Sequence, residues 1–248
     1  MTKIVAIGGG EIGGRGLHVE TTKIDKEIIL LSGKKHPKLL FIPTASYDSK
    51  TYYENVQKHF GKRLGCKTDV LYLKNEKLSK REIEGKILSS DIIYVGGGDT
   101  ETMMKVWRKT GTDKILKKAY KRGIVLSGLS AGAICWFKYG NSDSRMIRNP
   151  NADMIKVRGL GLVNALFCPH YRSEKNRKAD LKKMMKKQAG IAIAVDNCCA
   201  IEILEKQYRI IRSKGSAKAY KVYWKADRFC SQVINNKEFI SLGNLLKK

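Results

Sequence analysis

Short apolar runs alternate with longer amphipathic stretches along most of this chain. Each run ends in glycine, proline or polar residues, whereas the stretches between the runs repeat their apolar positions at helical spacing. The predicted strands are Lys3–Gly8, Lys38–Pro43, Thr68–Leu73, Asp91–Val95, Ile124–Ser127, Leu162–Cys168 and Ile191–Val195. The predicted helices are Tyr52–Leu64, Lys80–Leu88, Thr100–Arg108, Thr112–Arg122, Ala131–Tyr139 and Glu174–Gln188. This alternation is typical of βαβ units, so it predicts an α/β fold with a mainly parallel sheet and helices on both faces.

The pattern changes towards the C-terminus. Three short segments joined by turn sequences predict antiparallel strands over Ala200–Leu204, Tyr208–Arg212 and Ala219–Trp224. No internal repeat and no linker-like segment interrupts the chain, and a length of 248 residues suits one large core. We therefore expect residues 1–248 to form a single domain that ends in an antiparallel β extension.

Composition narrows the class of protein. Hydrophobic residues make up 42% of the chain and prolines number only 4, which is typical of a globular protein. The six cysteines lie mostly in apolar runs and form no C-x-x-C pair, so we expect buried thiols rather than disulfides or a metal site. The chain has no apolar run of about 18 residues, and a strand follows Met1 almost at once. These features predict a cytoplasmic protein without a membrane span.

The net charge of +26 raises the question of a polyanionic partner. The lysines, however, are spread over nearly every segment, in short clusters at helix-like spacing. No basic stripe interleaved with aromatic residues emerges, and such a stripe is what single-stranded nucleic acids require. A solvated basic surface is therefore favoured over a specific nucleic-acid function.

The segment Ile124–Ala133 contains the most informative motif, Gly128-x-Ser130-x-Gly132. An apolar strand here breaks into a turn so tight that small residues must flank the serine. A helix then begins at Ala131, which raises the Ser130 hydroxyl to the carboxyl edge of the sheet. This geometry is typical of a nucleophilic serine. The alternative is an ordinary serine in a glycine-rich turn.

Two further glycine-rich loops follow predicted strands. Gly96-Gly97-Gly98 is not followed by Lys-Ser/Thr, which excludes a P-loop. With a nucleophilic serine one strand later, the amides of Gly98 and Ala131 are the predicted oxyanion hole. The loop Gly8-x-Gly10-x-x-Gly13 satisfies the dinucleotide fingerprint literally, but more glycines follow where a helix should begin. We therefore expect neither a nicotinamide nor a flavin, and no other cofactor or metal.

The general base and its orienting acid come from later loops. Among four histidines, His170 alone follows the serine, and it stands directly after an apolar strand. Two aspartates are candidates for the residue that orients its imidazole. Asp143 lies in a polar loop, whereas Asp196, followed by Asn197, ends a buried strand at the same edge as His170. Rigidity favours Asp196, although either residue could instead belong to an ordinary turn.

Together these motifs resemble the S51 serine peptidases, the family of aspartyl dipeptidase (peptidase E) and cyanophycinase. The resemblance rests on Val95–Asp99, Gly128–Ala133, Asn141–Asp143, Cys168–Tyr171 and Ile191–Asp196. It implies a fold like the class I glutamine amidotransferases, which is flavodoxin-like, with Ser130 as nucleophile and His170 as base. It matches the acid to Asp143 in peptidase E and to the position of Asp196 in cyanophycinase.

The resemblance is incomplete around the substrate. Asp99 stands where peptidase E has asparagine, and Arg172 and Arg177 are only part of the arginine set that follows the histidine in cyanophycinase. We expect Asp99 to hold a free amino group of the substrate, and one of the two arginines to bind a peptide carboxylate.

The sequence thus predicts a serine exopeptidase that hydrolyses short peptides, similar to a dipeptidase. An esterase of the α/β-hydrolase type shares the order of Ser130, Asp143 and His170, and a non-catalytic module that binds polyanions would explain the charge. A small peptide is the expected partner. The sequence leaves a homodimer open.

Overall fold

The structure is a computed structural model that describes residues 1–14, 16–187 and 190–247. The strands are β1 (Lys3–Ile7), β2 (Lys38–Ile42), β3 (Lys67–Val70), β4 (Ile92–Val95), β5 (Val125–Leu129), β6 (Phe137–Ser142), β7 (Ile155–Arg158), β8 (Val163–Cys168), β9 (Ala192–Val195), β10 (Cys199–Leu204), β11 (Gln207–Arg212), β12 (Ala219–Lys225), β13 (Arg228–Ile234) and β14 (Ile240–Ser241). The helices are α1 (Thr22–Leu31), α2 (Lys50–Val56), α3 (Lys80–Leu88), α4 (Thr100–Thr110), α5 (Thr112–Lys121), α6 (Ala131–Ile134), α7 (Arg177–Lys186) and α8 (Leu242–Leu246). A 3₁₀ turn spans Thr44–Ser46, and α2 continues as a π-helix over Gln57–Arg63.

The larger sheet has eight strands in the order β14-β11-β10-β1-β5-β4-β2-β3. Strands β1, β5, β4, β2 and β3 run parallel to one another. Strands β10, β11 and β14 continue the sheet in antiparallel fashion beyond β1. The α/β fold, its mainly parallel sheet and its C-terminal antiparallel extension are therefore confirmed.

A second sheet of six strands, in the order β13-β12-β9-β8-β6-β7, differs from the expectation of one mainly parallel sheet. The helix predicted over Ala131–Tyr139 is wrong in its second half, because α6 ends at Ile134 and β6 begins at Phe137. A Cβ atom on Gly140 would lie 2.2 Å from Ile134 Cγ2, so glycine there allows β6 to pass directly against α6. Parallel pairing with β8 then overrides the local helical pattern.

Other differences concern single elements. The helix predicted over Tyr52–Leu64 changes to a π-helix after Val56. The helix predicted over Glu174–Gln188 begins at Arg177, and Gln188 lies outside the described residues. Helix α1 was not predicted, although its buried Ile24 and Ile28 have helical spacing. Within the described chain, no helix is long and apolar enough to cross a membrane.

Apolar side chains form three buried layers around these sheets. The largest includes residues of both sheets and of α3 to α6, and it contains the side chains of Trp107, Trp136 and Phe167. A second layer packs α1 and α2 against the other face of the larger sheet, and a third packs α7 on the smaller sheet. Both sheets are thereby fixed to each other. Strands β1, β4, β5, β8 and β9 of these sheets lead into the loops that carry the glycine motifs and the candidate site residues.

We predict that Gly132→Ala destabilises the fold, because a Cβ atom there would lie 2.1 Å from the carbonyl oxygen of Val95. Overpacking of this kind costs about 1–3 kcal/mol in the free energy of unfolding. The matched control is Gly85→Ala on α3, where a Cβ atom meets nothing within 4 Å and alanine should stabilise the helix. Urea denaturation measures both variants. Equal stability of the two would contradict this account of the turn.

Candidate active site

Ser130 lies at the end of β5 with φ 53° and ψ −114°, a backbone conformation that L-residues rarely adopt. Glycines on both sides make this turn sterically feasible. A Cβ atom on Gly128 would lie 2.6 Å from the carbonyl oxygens of both Gly132 and Val95. The Ser130 N–H donates to the carbonyl of Ile7 in β1, which fixes the turn to the neighbouring strand. The backbone therefore holds the serine in one position, as the sequence motif predicts.

His170 contacts two side chains, one at each ring nitrogen. Its Nε2 lies 2.9 Å from Ser130 Oγ, and its Nδ1 lies 2.6 Å from Oδ1 of Asn197, the second residue after β9. Because the amide oxygen can only accept, Nδ1 carries the ring proton in this assignment. Nε2 is then free to accept the serine proton. The arrangement can thus activate a hydroxyl for attack on a carbonyl.

Burial lowers the pKa of His170 below its usual value, because the charged imidazolium is poorly solvated there. The negative charge of Glu174 and the hydrogen bond with Asn197 act in the opposite direction and offset part of the shift. The imidazole therefore stays neutral, and able to accept a proton, at lower pH than an ordinary histidine.

The glycine loop after β1 explains how the histidine and the asparagine are brought together. The His170 N–H donates to the carbonyl of Gly8 at 2.9 Å, and the Cys198 N–H donates to that of Gly9 at 2.8 Å. A Cβ atom on Gly9 would lie 2.3 Å from Asn197 Oδ1 and 2.4 Å from His170 Cε1. Only glycine lets this backbone approach the pair so closely. The dinucleotide-like spacing of the loop thus has a structural explanation.

Three of the eight described non-glycine residues with positive φ lie in or next to this group. Ser130, His170 and Cys198 have φ values of 53°, 51° and 61°. Each such residue costs on the order of 1–3 kcal/mol, and such costs are tolerated mainly where the surrounding structure fixes a functional geometry.

A cleft of about 760 Å³ opens beside Ser130, His170 and Asn197. Gly98, in the loop after β4, lines this cleft, and a Cβ atom on it would lie 2.2 Å from the carbonyl oxygen of Ala45. Among the described residues, neither the Gly98 N–H nor the Ala131 N–H has a hydrogen-bond acceptor. Within the described chain, both predicted oxyanion-hole N–H groups are therefore free to donate to a substrate oxygen.

Neither predicted acid contacts the imidazole. Asp196 accepts from Arg172 Nε at 2.7 Å and from the Lys218 N–H at 2.8 Å. Asp143 lies in the loop after β6, 3.5 Å from the guanidinium of Arg177. The structure instead gives the position at Nδ1 to Asn197, one residue beyond Asp196. Asp196 and Asn197 are consecutive in the turn that follows β9, so one position separates the side chain that reaches the histidine from the one that pairs with Arg172.

The three residues predicted to bind substrate are engaged elsewhere in the protein. Asp99 is fully buried and caps α4, where it accepts from Thr102 and from the Tyr47 hydroxyl. Burial raises its pKa, but these hydrogen bonds outweigh burial and lower the pKa below the usual value. Arg177 is also fully buried. It donates to the carbonyl and side-chain oxygens of Asn141 and pairs with Glu174.

Arg172 is partly exposed, but its guanidinium pairs with Asp196 and donates to the carbonyl of Ser216. It lies outside the lining of the large cleft. All three predicted side chains thus already have partners within the protein, and their contacts with an amine or a carboxylate of the substrate stay a prediction.

Two glutamates in the cleft were not predicted from the sequence. Glu11 and Glu20 both line it, and the Glu20 N–H donates to the Glu11 carbonyl at 2.8 Å. The Glu20 carboxylate accepts from Lys214 and from the Glu11 N–H, and the hydrogen bond with Lys214 lowers its pKa. The Glu11 carboxylate makes no hydrogen bond or ion pair with a described residue. Only the literal glycine motif Gly8-x-Gly10-x-x-Gly13, which contains Glu11, indicated this loop.

The fold resembles those of two solved peptidases. A peptidase from an acI-B1 Actinobacterium superposes with a TM-score of 0.73 at 19% identity, covering 97% of each chain. A putative peptidase E protein from Listeria monocytogenes EGD-e gives 0.64 at 22% identity, covering 86% of this chain and 98% of the other. At these identities the likeness shows a shared fold.

Sequence similarity defines the family. The uncharacterized peptidase YgaJ of Bacillus subtilis (strain 168) is 34% identical over 224 residues, which are 90% of this chain and 92% of that protein. The uncharacterized peptidase Lmo0363 of Listeria monocytogenes is 31% identical over 140 residues, or 54% of this chain and 65% of that protein. The model of peptidase family S51 matches residues 4–211. The chain belongs to peptidase family S51, and it is a peptidase.

We predict that His170 titrates below pH 6.5, the ordinary value for histidine, because burial disfavours its charged form. In Asn197→Asp a carboxylate replaces the amide at Nδ1 and should raise the pKa of His170. Ring-proton NMR over a pH series measures both proteins. An unchanged pKa in the variant would show that residue 197 does not contact the imidazole in solution.

Proposed function

We propose that this protein is a serine peptidase in which Ser130, His170 and Asn197 act together. The observation that carries the proposal is the continuous contact from Ser130 Oγ to Nε2 at 2.9 Å and from Nδ1 to Asn197 at 2.6 Å. The cleft beside it supplies room for a short peptide. An α/β-hydrolase esterase loses its basis, because the chain belongs to a different family with a different fold.

The reaction follows from this geometry. Ser130 Oγ attacks the carbonyl carbon of the scissile peptide bond while His170 Nε2 accepts the hydroxyl proton. The Gly98 and Ala131 amides donate to the negatively charged carbonyl oxygen, and loss of one such donor costs about 3–4 kcal/mol of activation free energy. The C–N bond then breaks as the imidazolium returns its proton to the leaving amine. Water, deprotonated by His170, hydrolyses the resulting ester.

Asn197 is a neutral member of this triad. An amide orients the imidazole and fixes its tautomer, but it adds no negative charge to balance the imidazolium that forms. The carboxylate of Glu174, whose charge raises the pKa of His170, supplies part of that balance from a greater distance. The Ser-His-Asn grouping parallels the neutral asparagine of papain-like enzymes, where it occurs with a cysteine.

We further propose that the substrate is a short peptide with a free N-terminus. Glu11 offers a carboxylate in the cleft that is unpaired among the described residues, while Glu20 fixes the Glu11 backbone from the other end of the same loop. Tyr52 adds a hydroxyl that remains protonated, because burial raises its pKa to about 12. Glu11 therefore takes the amine-binding function first expected of Asp99. Such recognition makes the enzyme an exopeptidase.

The first test removes two members of the triad, Ser130 and Asn197. Ser130→Ala should abolish peptide hydrolysis, and Asn197→Ala should lower kcat by roughly 10²-fold, the lower range of what a positioned general base contributes. Asp196→Asn and Asp143→Asn are the matched controls and should retain most of the activity. If either aspartate variant lost more activity than Asn197→Ala, the assignment of the third residue would be wrong. Steady-state kinetics on one dipeptide series measures all four.

The second test concerns the amino group. Glu11→Gln should raise KM for peptides with a free N-terminus by about tenfold, comparable to a charge-assisted hydrogen bond of about 1.5 kcal/mol. N-acetylated peptides should show little change. Glu76→Gln, an exposed position outside the cleft, makes the same change in charge and serves as control. A similar effect of Glu11→Gln on free and acetylated peptides would refute amine recognition while leaving the triad in place.

A further inference from the structure

A second cleft, of about 690 Å³, lies away from Ser130 and is nearly as large as the first. Its walls come from α4 and α5 on one side, and from β6, the end of β7 and the loop that leads into β8 on the other. Met104 and Leu160 form its apolar floor, and both belong to the largest buried layer. The walls are thus part of the rigid core. We refer to this feature as the basic cleft.

Four cationic side chains line the basic cleft: Arg108, Lys117, Lys138 and Arg158. Each comes from a different element, so the tertiary fold brings them together. Among the described residues, none of the four forms an ion pair with a carboxylate. Neighbouring cations differ in this respect, since Lys105 pairs with Glu101 and Lys118 pairs with Glu84.

The large cleft beside Ser130 provides the contrast. Its described lining contains Glu11 and Glu20 and no lysine or arginine. Cationic side chains therefore line one cleft and are missing from the described lining of the other.

One of the cations is already oriented. Arg108 Nη2 donates to the Arg158 carbonyl at 2.6 Å, which holds the guanidinium at the wall and leaves its other N–H groups available. A planar guanidinium group can donate two parallel hydrogen bonds to two oxygens of one phosphate, and a lysine ammonium adds a compact positive charge. The single carboxylate of the lining, Asp113, opposes an anion, and its Oδ1 atom is buried with no described hydrogen-bond partner.

We propose that the basic cleft binds a compact anion carrying two linked phosphate groups, either inorganic pyrophosphate or the diphosphate of a nucleotide. Two phosphates bring enough negative charge to balance the four cationic side chains that line the cleft, and the volume limits the ligand to a small molecule. The cleft lacks an aromatic side chain on which bases could stack, within the lining that the structure describes. This disfavours single-stranded nucleic acid. The site is distinct from the peptidase site and does not depend on the proposed function.

The test is calorimetric titration of the full-length protein with inorganic pyrophosphate at fixed ionic strength. Arg108→Ala and Arg158→Ala should each weaken binding by at least about tenfold, as expected for hydrogen bonds to a charged group. Asp113→Asn should strengthen binding, because it removes the only opposing charge. Arg81→Ala, an exposed arginine on α3 outside the cleft, should leave the affinity unchanged. Thermal unfolding of each variant separates loss of binding from loss of the fold.

Parallel titration with ADP distinguishes the two sources of the diphosphate. Tighter binding of ADP than of pyrophosphate identifies a nucleotide, and equal binding identifies the free anion. The proposal is overturned if wild type does not bind either ligand, if Arg81→Ala weakens binding as much as Arg108→Ala, or if Asp113→Asn has no effect. Preferential binding of single-stranded RNA would also overturn it, because a surface field rather than this cleft would then be responsible.

Discussion

The imidazole of His170 is held at both of its nitrogens, and much of the structure around the cleft serves that one arrangement. Ser130 lies 2.9 Å from Nε2 and Asn197 lies 2.6 Å from Nδ1, although these residues come from the ends of β5, β8 and β9 in two different sheets. The glycine loop after β1 joins them through the Gly8 and Gly9 carbonyls. Any side chain at Gly9 would occupy the space of the histidine and the asparagine. The packing of the two sheets against each other is thus a requirement of the site.

A neutral residue behind the imidazole has an electrostatic consequence. Burial lowers the pKa of His170, and an amide at Nδ1 opposes this less than a carboxylate would. The imidazole therefore remains unprotonated to lower pH than an ordinary histidine, and the negative charge of Glu174 opposes this lowering of the pKa from a distance. Arg177 is buried between Glu174 and Asp143 and fixes both carboxylates in place. Asp143, one of the two predicted acids, and Arg177, one of the two predicted arginines, thus belong to one ion-pair network with Glu174.

Much of the fold could be predicted from the sequence, because β1, β2 and β4 of the larger sheet are nearly continuous apolar runs that are followed by glycine or proline. The positions of Ser130 and His170 follow from the same logic, since each stands where such a run ends. The second sheet could not be predicted in this way. Strand β6 has a helix-like pattern of its own, and only its pairing with β8 and the close approach of Gly140 to Ile134 make it a strand. The side chain that contacts His170 Nδ1 is Asn197, whereas the preference for an orienting carboxylate favours its neighbour Asp196, and the sequence pattern alone does not separate two adjacent residues. Glu11 was not predicted as a site residue, because its loop was considered only for the dinucleotide-like spacing of its glycines.

The central claim is that Asn197 and His170 activate Ser130, and the rate at which a fluorophosphonate probe labels Ser130 measures this activation without any choice of peptide. Mass spectrometry should find the label on Ser130 in the wild-type protein, with a rate that falls as the pH drops through a value below 6.5, because burial lowers the pKa of His170. In Asn197→Ala the labelling rate should fall by roughly 10²-fold at neutral pH, since the imidazole loses the partner that fixes its tautomer. Labelling of Asn197→Ala at the wild-type rate, or labelling at a residue other than Ser130, would contradict the account.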